Sequence, residues 1–215
     1  MKNRIIEIEH LCKAFRRTTV VNDVTVSFEE GKIHGIIGRN GSGKTVLFKC
    51  ICGFVPITSG TIRVRGKLVG KDIDIPERMG IIIESPGFLP NYSGFHNLKF
   101  LAKLQNTIDA EKIRETIRFV GLDPDDKKHV GKYSMGMRQR LGLAQAIMED
   151  PDILILDEPM NGLDKQGVEE IRACLLQLRA QGKTILLASH NAEDIRVLCD
   201  TVCEMDGGVL TPRVV

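Results

Sequence analysis

"GRNGSGKT", residues 38–45, is the stretch that decides how this chain folds. Glycines at 38, 41 and 43 let a backbone turn tightly enough that successive N–H groups point inward and wrap an anion. The stretch follows the apolar run "IHGIIG" and opens "TVLFKCICG". It therefore links a strand to a helix, the context in which G-x-x-x-x-G-K-[ST] cradles phosphate. The helix N-terminus adds the positive end of its dipole. Lys44 can reach terminal phosphates as a point charge, and the Thr45 hydroxyl can ligate Mg²⁺. Gly38, Arg39, Asn40, Gly41, Ser42, Gly43, Lys44 and Thr45 together form the candidate phosphate-binding loop.

Two later strand ends complete the chemistry. "DILILDEP", residues 152–159, is an apolar strand delivering Asp157 and Glu158 at its C-terminal end, where ligands of open α/β sheets bind. Asp157 suits Mg²⁺ held through water, and Glu158 suits a general base acting on an attacking water. "TILLASHN" ends in His190, which at the edge of a phosphate site could donate to a γ-phosphate or orient the water. Asn191 then caps a helix over "AEDIRVLCD", with Glu193 and Asp194 in the first turn, where the dipole favours acids.

Bulk properties bound the rest. The 215 residues suffice for one domain with a sizeable core and an inserted lobe. Hydrophobic residues are 42%, charged residues 27% and net charge is +2, too balanced to argue for nucleic acid or a membrane surface. "MKNRIIEIEH" carries charges every few residues, so no secretory signal is expected. No apolar run reaches the ~18 residues that cross a bilayer, and any membrane link is expected through a partner. The six cysteines lack a CxxC and four of them sit in apolar patterns, as Cys174 does in "IRACLLQL"; they read as reduced core residues.

Periodicity gives the architecture. The first third reads as strands, with Val24, Val26 and Phe28 on one face of "VTVSF". "IHGIIG", "MGIIIE", "DILILDE" and "TILLASH" are short apolar runs suited to parallel strands covered on both faces. "GVEEIRACLLQLRAQG" between the last two places Ile171, Cys174, Leu175 and Leu178 at helical spacing, with Gly182 as a stop. Residues 86–150 break the alternation: "NYSGFHNLKFLAKLQ", "DAEKIRETIRFVG" and "SMGMRQRLGLAQAIM" read as successive helices. Asp109 can cap the second and Gly121 can end it.

A phosphate loop, a helical insertion ending in Ser-x-Gly, "LDEP", "NGLD" and "SH" follow one another, and this order resembles the ATP-binding cassette (ABC) ATPases over nearly the whole chain. The resemblance implies an α/β fold: a P-loop NTPase (RecA-like) core with an N-terminal antiparallel β subdomain and an inserted all-helical subdomain. Residues 1–215 then form a single nucleotide-binding domain, with 1–85 and 151–215 as the core and 86–150 as the helical signature subdomain. It implies ATP and Mg²⁺ as cofactors, Glu158 and His190 as catalytic, and Thr45, Glu84 and Asp157 as metal-facing. Phe15 stands where an aromatic ring stacks on adenine, with Val20 as apolar neighbour. "YSMGM" stands where the signature LSGGQ is usual, so Ser134 and Gly136 would contact a partner's γ-phosphate, and Asp164 belongs to the D-loop.

"IGxxIExPGF", "SMGMRQRLGLAQAIM" and "PMNGLD" look most like ATPase subunits of bacterial drug, bacitracin and lantibiotic-type exporters. Two positions depart from the family. Glu84 replaces the usual glutamine, keeping an oxygen for Mg²⁺ and losing an amide donor. Met135 replaces a glycine, and its side chain is expected to point away from the nucleotide. The likeness implies a head-to-tail dimer with a second copy of an ABC ATPase subunit around two ATP. It also implies transmembrane permease subunits, no nucleic acid, and a cytoplasmic place on the inner face of the cell membrane. "SPGFLPNYSGF" either receives a short helix of that partner or packs its own Phe and Tyr beneath the helical lobe. A soluble cassette ATPase of translation-factor, DNA-repair or regulatory kind is the alternative; two cassettes or a long coiled-coil insertion, usual in the first two, are absent from this sequence.

Overall fold

The computed structural model describes residues 3–84, 86–105 and 107–213. Four strands, β1 (Arg4–Phe15), β2 (Thr18–Glu29), β4 (Ser59–Val64) and β5 (Lys67–Leu68), form an antiparallel sheet in the order β2-β1-β4-β5. Six others build the second sheet: β3 (Ile33–Ile37), β6 (Met79–Ile82), β7 (Ile153–Asp157), β8 (Thr184–Ala188), β9 (Thr201–Asp206) and β10 (Val209–Arg213). Its order is β10-β9-β3-β8-β7-β6, parallel throughout except for β10 at the edge. The helices are α1 (Lys44–Ile51), α2 (Gly94–Gln105), α3 (Ala110–Phe119), α4 (Met135–Ile147), α5 (Lys165–Ala180) and α6 (Ala192–Leu198), with a 3-10 turn at Val130–Lys132.

The period of two in the strands sorts the core into two layers. Ile153 and Ile155 of β7 and Leu186 and Ala188 of β8 face α1 and the antiparallel sheet, joining Phe28, Phe48 and Ile62. Leu154 and Leu156, with Ile185 and Leu187, face the other way and join α2, α3, α4 and α5 through Leu98, Ile117, Leu141 and Leu175. All eight of these strand residues are fully buried. Strands covered on both faces must be apolar at every position, which is why these runs do not alternate in sequence.

Residues 86–150 hold helices and no strand among the described residues. This helical layer shares a single apolar cluster with the sheet face and α5 rather than closing a core of its own. Asp109 caps α3 by accepting from the Lys112 N–H at 2.8 Å, and Asn191 caps α6 by accepting from that of Glu193 at 2.8 Å. Val24 and Phe28 are buried on one face of β2 and Val26 is partly buried, and Ile171, Cys174, Leu175 and Leu178 form the buried stripe of α5. The cysteines are free thiols, and burial pushes Cys50 up to about 11 and Cys52 and Cys199 up to about 12. Such thiols stay protonated, as core residues should.

His34 on β3 is buried, with Nε2 donating to the Glu29 carbonyl at 2.8 Å and Nδ1 2.7 Å from the Thr201 hydroxyl. Burial holds its pKa below the ordinary value of 6.5 despite the Glu29 contact. A base depressed in the folded state adds stability above its unfolded pKa, and this is lost as pH falls from 6.5 toward the folded value. Between pH 7.5 and pH 5, thermal unfolding of the native chain should therefore shift downward more than that of His34→Gln, by roughly a few degrees; equal shifts in the two would exclude this origin.

Candidate functional site

The phosphate loop leaves the C-terminal end of β3 and enters α1, as the spacing predicts. Gly38 at φ 153° and Gly43 at φ 112° pass so close to the chain that a Cβ would lie 2.2 Å from the Met205 carbonyl oxygen and 2.7 Å from that of Val20. No other residue fits there. Lys44 is buried and its ammonium donates to the carbonyls of Gly38 at 2.7 Å and Arg39 at 3.1 Å, so the charge is held over the loop. Asn40, Gly41, Gly43, Lys44, Thr45 and Val20 line a cleft of about 560 Å³.

Parallel register brings the other strand ends to this cleft. Asp157 pairs with Ala188 across β7–β8, and Ile36 pairs with Ala188 across β3–β8. The Thr45 hydroxyl consequently donates to Asp157 Oδ2 at 2.6 Å, across 112 residues of sequence. Glu158 follows in the left-handed region at φ 52°, a conformation costing about 1–3 kcal/mol for a non-glycine residue. Its Oε2 lies 2.9 Å from His190 Nδ1, while Oε1 is buried with no hydrogen-bond partner among the described residues. The Ser42 hydroxyl in the phosphate loop is likewise buried and unpaired. Unsatisfied buried polar atoms are rare in folded chains, and Glu158, which lines the cleft, carries one of the two.

Glu84 lines the same cleft from the end of β6, also at positive φ (62°). Its Oε1 pairs with Lys49 Nζ at 2.6 Å. Lys49 was invisible to motif reading, yet it stands four residues after Thr45 and so shares that face of α1. The donors facing the cleft are hard oxygens, the Thr45 hydroxyl and the Asp157 and Glu84 carboxylates, which fit a Mg²⁺ that shares its shell with phosphate. Among the described residues no group of three or more His, Cys, Asp or Glu forms a metal cage by itself. Phe15 lies at the end of β1, 45% exposed, with Lys13 Nζ 4.6 Å from its ring centroid, and is not part of the cleft lining.

The stretch around the helical insertion takes definite places. Ser134 caps α4, its hydroxyl accepting from the Met137 N–H at 3.1 Å, and is exposed. Gly136 packs on the segment 162–163, where an added Cβ would lie 3.2 Å from Leu163. Asp164 caps α5 by accepting from the Gly167 N–H at 2.9 Å. Met135 does not turn away from its own chain's cleft: it lines it. Gly162 explains this, since a Cβ there would come within 2.1 Å of Met135 Cε, so the bare glycine leaves room for the thioether. Gln139, one turn further along α4, donates to the Glu158 carbonyl at 3.3 Å. Gln139, within "SMGMRQRLGLAQAIM", and Asn161, the first residue of "NGLD", are cleft residues to which the sequence reading gave no role of their own.

A model of the ABC transporter family matches residues 21–161. The chain belongs to the ABC transporter family. It is 44% identical over 206 residues to the ABC transporter ATP-binding protein YybJ of Bacillus subtilis, covering 96% of this chain and 94% of that one. It is 41% identical over 212 residues to the bacitracin transport ATP-binding protein BcrA of Enterococcus faecalis, covering 98% of this chain and 69% of that one. Its fold matches a dimeric ATP-binding cassette in a post-hydrolysis state bound to ADP and Pi with a TM-score of 0.86 at 18% identity, over 95% and 96% of the two chains. The chain is thus a nucleotide-binding ATPase subunit of the ABC type.

A second, larger groove of about 840 Å³ runs between β6, α2 and α4, past Ile83, Pro86 and Gly142. It contains neither the glycine loop nor the Thr45–Asp157 pair and so offers an ABC ATPase no phosphate cradle. Because Lys49 pairs with the exposed Glu84, removing either partner alone should change little: an exposed ion pair is worth at most about 1 kcal/mol. Glu84→Gln is expected to keep Mg²⁺-dependent ATP turnover within roughly 5-fold of the native rate; loss of the metal dependence would show that the carboxylate has no neutral substitute here.

Proposed function

We propose that this subunit hydrolyses Mg²⁺-ATP as one half of a head-to-tail dimer and drives transmembrane permease subunits that export a drug, a peptide antibiotic such as bacitracin, or a similar compound. The observation that carries the reading is the convergence, in one cleft, of the glycine loop, Lys44, the Thr45–Asp157 pair and the half-satisfied Glu158. The loop's N–H groups and Lys44 hold the phosphates. Thr45 and Asp157, with Glu84 beside them, hold the Mg²⁺. When bound, the metal neutralises charge developing on the transferred phosphoryl group.

In this reading the Glu158 carboxylate takes a proton from the attacking water. His190, within 2.9 Å of Oε2, holds that carboxylate and is placed to meet the γ-phosphate. Phe15 stacks on adenine from the exposed end of β1, with Val20 at the cleft wall. Ser134 and Gly136 stand at the N-terminus of α4, where backbone N–H groups and the dipole favour an anion. They complete the site of the second subunit, and Asp164 lies in the D-loop between the two. Export of a peptide antibiotic is supported by the likeness to the bacitracin transport protein.

Among the described residues no helix is long and apolar enough to cross a membrane, and in this reading coupling goes through a permease. The subunit then works on the cytoplasmic face of the cell membrane. The groove beside α2 suits the docking of a short permease helix. Within "SPGFLPNYSGF", Phe88 and Phe95 pack on the core, whereas Leu89 and Tyr92 are exposed and Ser85 lies outside the described residues. Asn97 fixes the loop by bonding Leu89 N–H at 2.8 Å and the Ser93 carbonyl at 3.0 Å.

Glu158→Gln should bind ATP while turnover falls roughly 10²–10⁴-fold, because the base is lost. With hydrolysis blocked, saturating Mg²⁺-ATP should move the variant from monomer to dimer in size-exclusion chromatography with light scattering. A variant that remains monomeric at saturation would refute ATP-driven closure.

A further inference from the structure

Ser189 ends the run of β8 and directly precedes His190. It is 2% exposed, and its hydroxyl is used twice: it donates to Asp194 Oδ2 at 2.9 Å and accepts from the Asn191 N–H at 3.1 Å. One hydroxyl thus ties the residue before His190 to the residue after it. Asp194 is itself fixed. Arg172 of α5 gives it two hydrogen bonds on Oδ1, from Nε at 2.9 Å and Nη2 at 2.6 Å, and the two side chains are 5% and 3% exposed. Arg172 also meets Glu169 at 2.6 Å and Glu193 at 3.6 Å.

We propose that Arg172, Asp194 and Ser189 form a clamp that sets the position of His190 against Glu158, making Ser189 and Asp194 positioning residues for ATP hydrolysis. The inference rests on the reading of His190 and Glu158 given above. Packing does not hold the imidazole, because the His190 side chain is 64% exposed. Its direction must come from the backbone on either side, and that is where the Ser189 hydroxyl bonds. Nor does α6 need a buried ion pair to stay on the sheet, since Ile195 and Leu198 already anchor it in apolar contact. A buried pair is a poor device for stability compared with apolar side chains of equal size, but charge-assisted hydrogen bonds fix direction. The chain Arg172–Asp194–Ser189 runs from the middle of α5 to the strand end that bears His190.

Ser189→Ala removes one hydroxyl and leaves the ion pair, so it tests the clamp without unpairing a buried charge. Its kcat is expected to fall about 10-fold, the scale of a misplaced catalytic contact, with KM for ATP within about 2-fold. Ser189→Thr, which keeps the hydroxyl, should restore both. An imidazole NMR resonance of His190, assigned by its loss in His190→Ala, should move in Ser189→Ala in the direction it takes in Glu158→Ala. A general loss of packing would lower the melting temperature without moving that resonance toward the Glu158→Ala position. A resonance left in its native place in Ser189→Ala overturns the proposal, as does native kcat despite a displaced imidazole. If His190→Ala itself hydrolyses ATP at the native rate, the catalytic reading of His190 fails. The resonance then still reports separately whether Ser189 sets the ring's position.

Discussion

The register of three adjacent parallel strands is the constraint from which the site follows. β3, β8 and β7 are hydrogen-bonded neighbours, and Ala188 of β8 is the shared partner of Ile36 and Asp157. On that line or one or two residues past it, the three strands deliver Asp157 with Glu158, Gly38, and Ser189 with His190. The Thr45–Asp157 hydrogen bond at 2.6 Å depends on this alignment. A slip of one residue in a two-sided strand would put Asp157 at a position now held by an apolar core residue, where an unpaired carboxylate costs several kcal/mol. The same burial that makes β7 and β8 continuously apolar thus fixes where their polar ends emerge.

The helical layer is joined to the reacting end rather than merely packed beside it. Its apolar cluster runs on into the sheet face, and α4 reaches the segment after β7 at three points. Gly136 packs on Leu163, Met135 lies on Gly162, and Gln139 donates to the Glu158 carbonyl at 3.3 Å. Arg140 adds a bond to the Val120 carbonyl at 2.8 Å and pairs with Glu170 at 2.6 Å, tying α3, α4 and α5 together. Glu158 stands in a strained backbone conformation, so its carboxylate direction depends on neighbours that hold the turn. Movement of α4 and orientation of the Glu158 carboxylate are therefore mechanically connected through short contacts.

What was legible in the sequence was what short-range rules govern. The glycine loop, the buried parallel strands and the caps at Asp109 and Asn191 follow from spacing within about ten residues. β9 and β10 escaped the periodicity because they carry Glu204, Asp206, Pro212 and Arg213, and β10 lies at the open edge, where one face need not be apolar. Lys49 as the partner of Glu84, and Ser189 as a partner of Asp194, are matters of which side chains meet across the fold. Met135 is the instructive departure: its direction is set by a missing side chain at Gly162, a cause that sequence spacing does not carry. Motifs located Lys44, Asp157, Glu158 and His190, whereas the groups that hold them came from tertiary contact.

The Arg172–Asp194 pair shows why such supports resist reading from sequence. Breaking a buried pair by removing one partner costs about 3–5 kcal/mol, yet replacing both by apolar groups can be neutral. Stability alone therefore does not require either residue, and an amphipathic reading of α5 assigns Arg172 to solvent. In the structure it is 4% exposed, between Ile171 and Cys174 on a helix whose buried stripe would otherwise be apolar. The charge is tolerated there because Asp194 and Ser189 satisfy it in line, and the line ends beside His190. An arginine inside an apolar stripe that stability does not need is accounted for by the direction it gives to the residue at the far end of its hydrogen bonds.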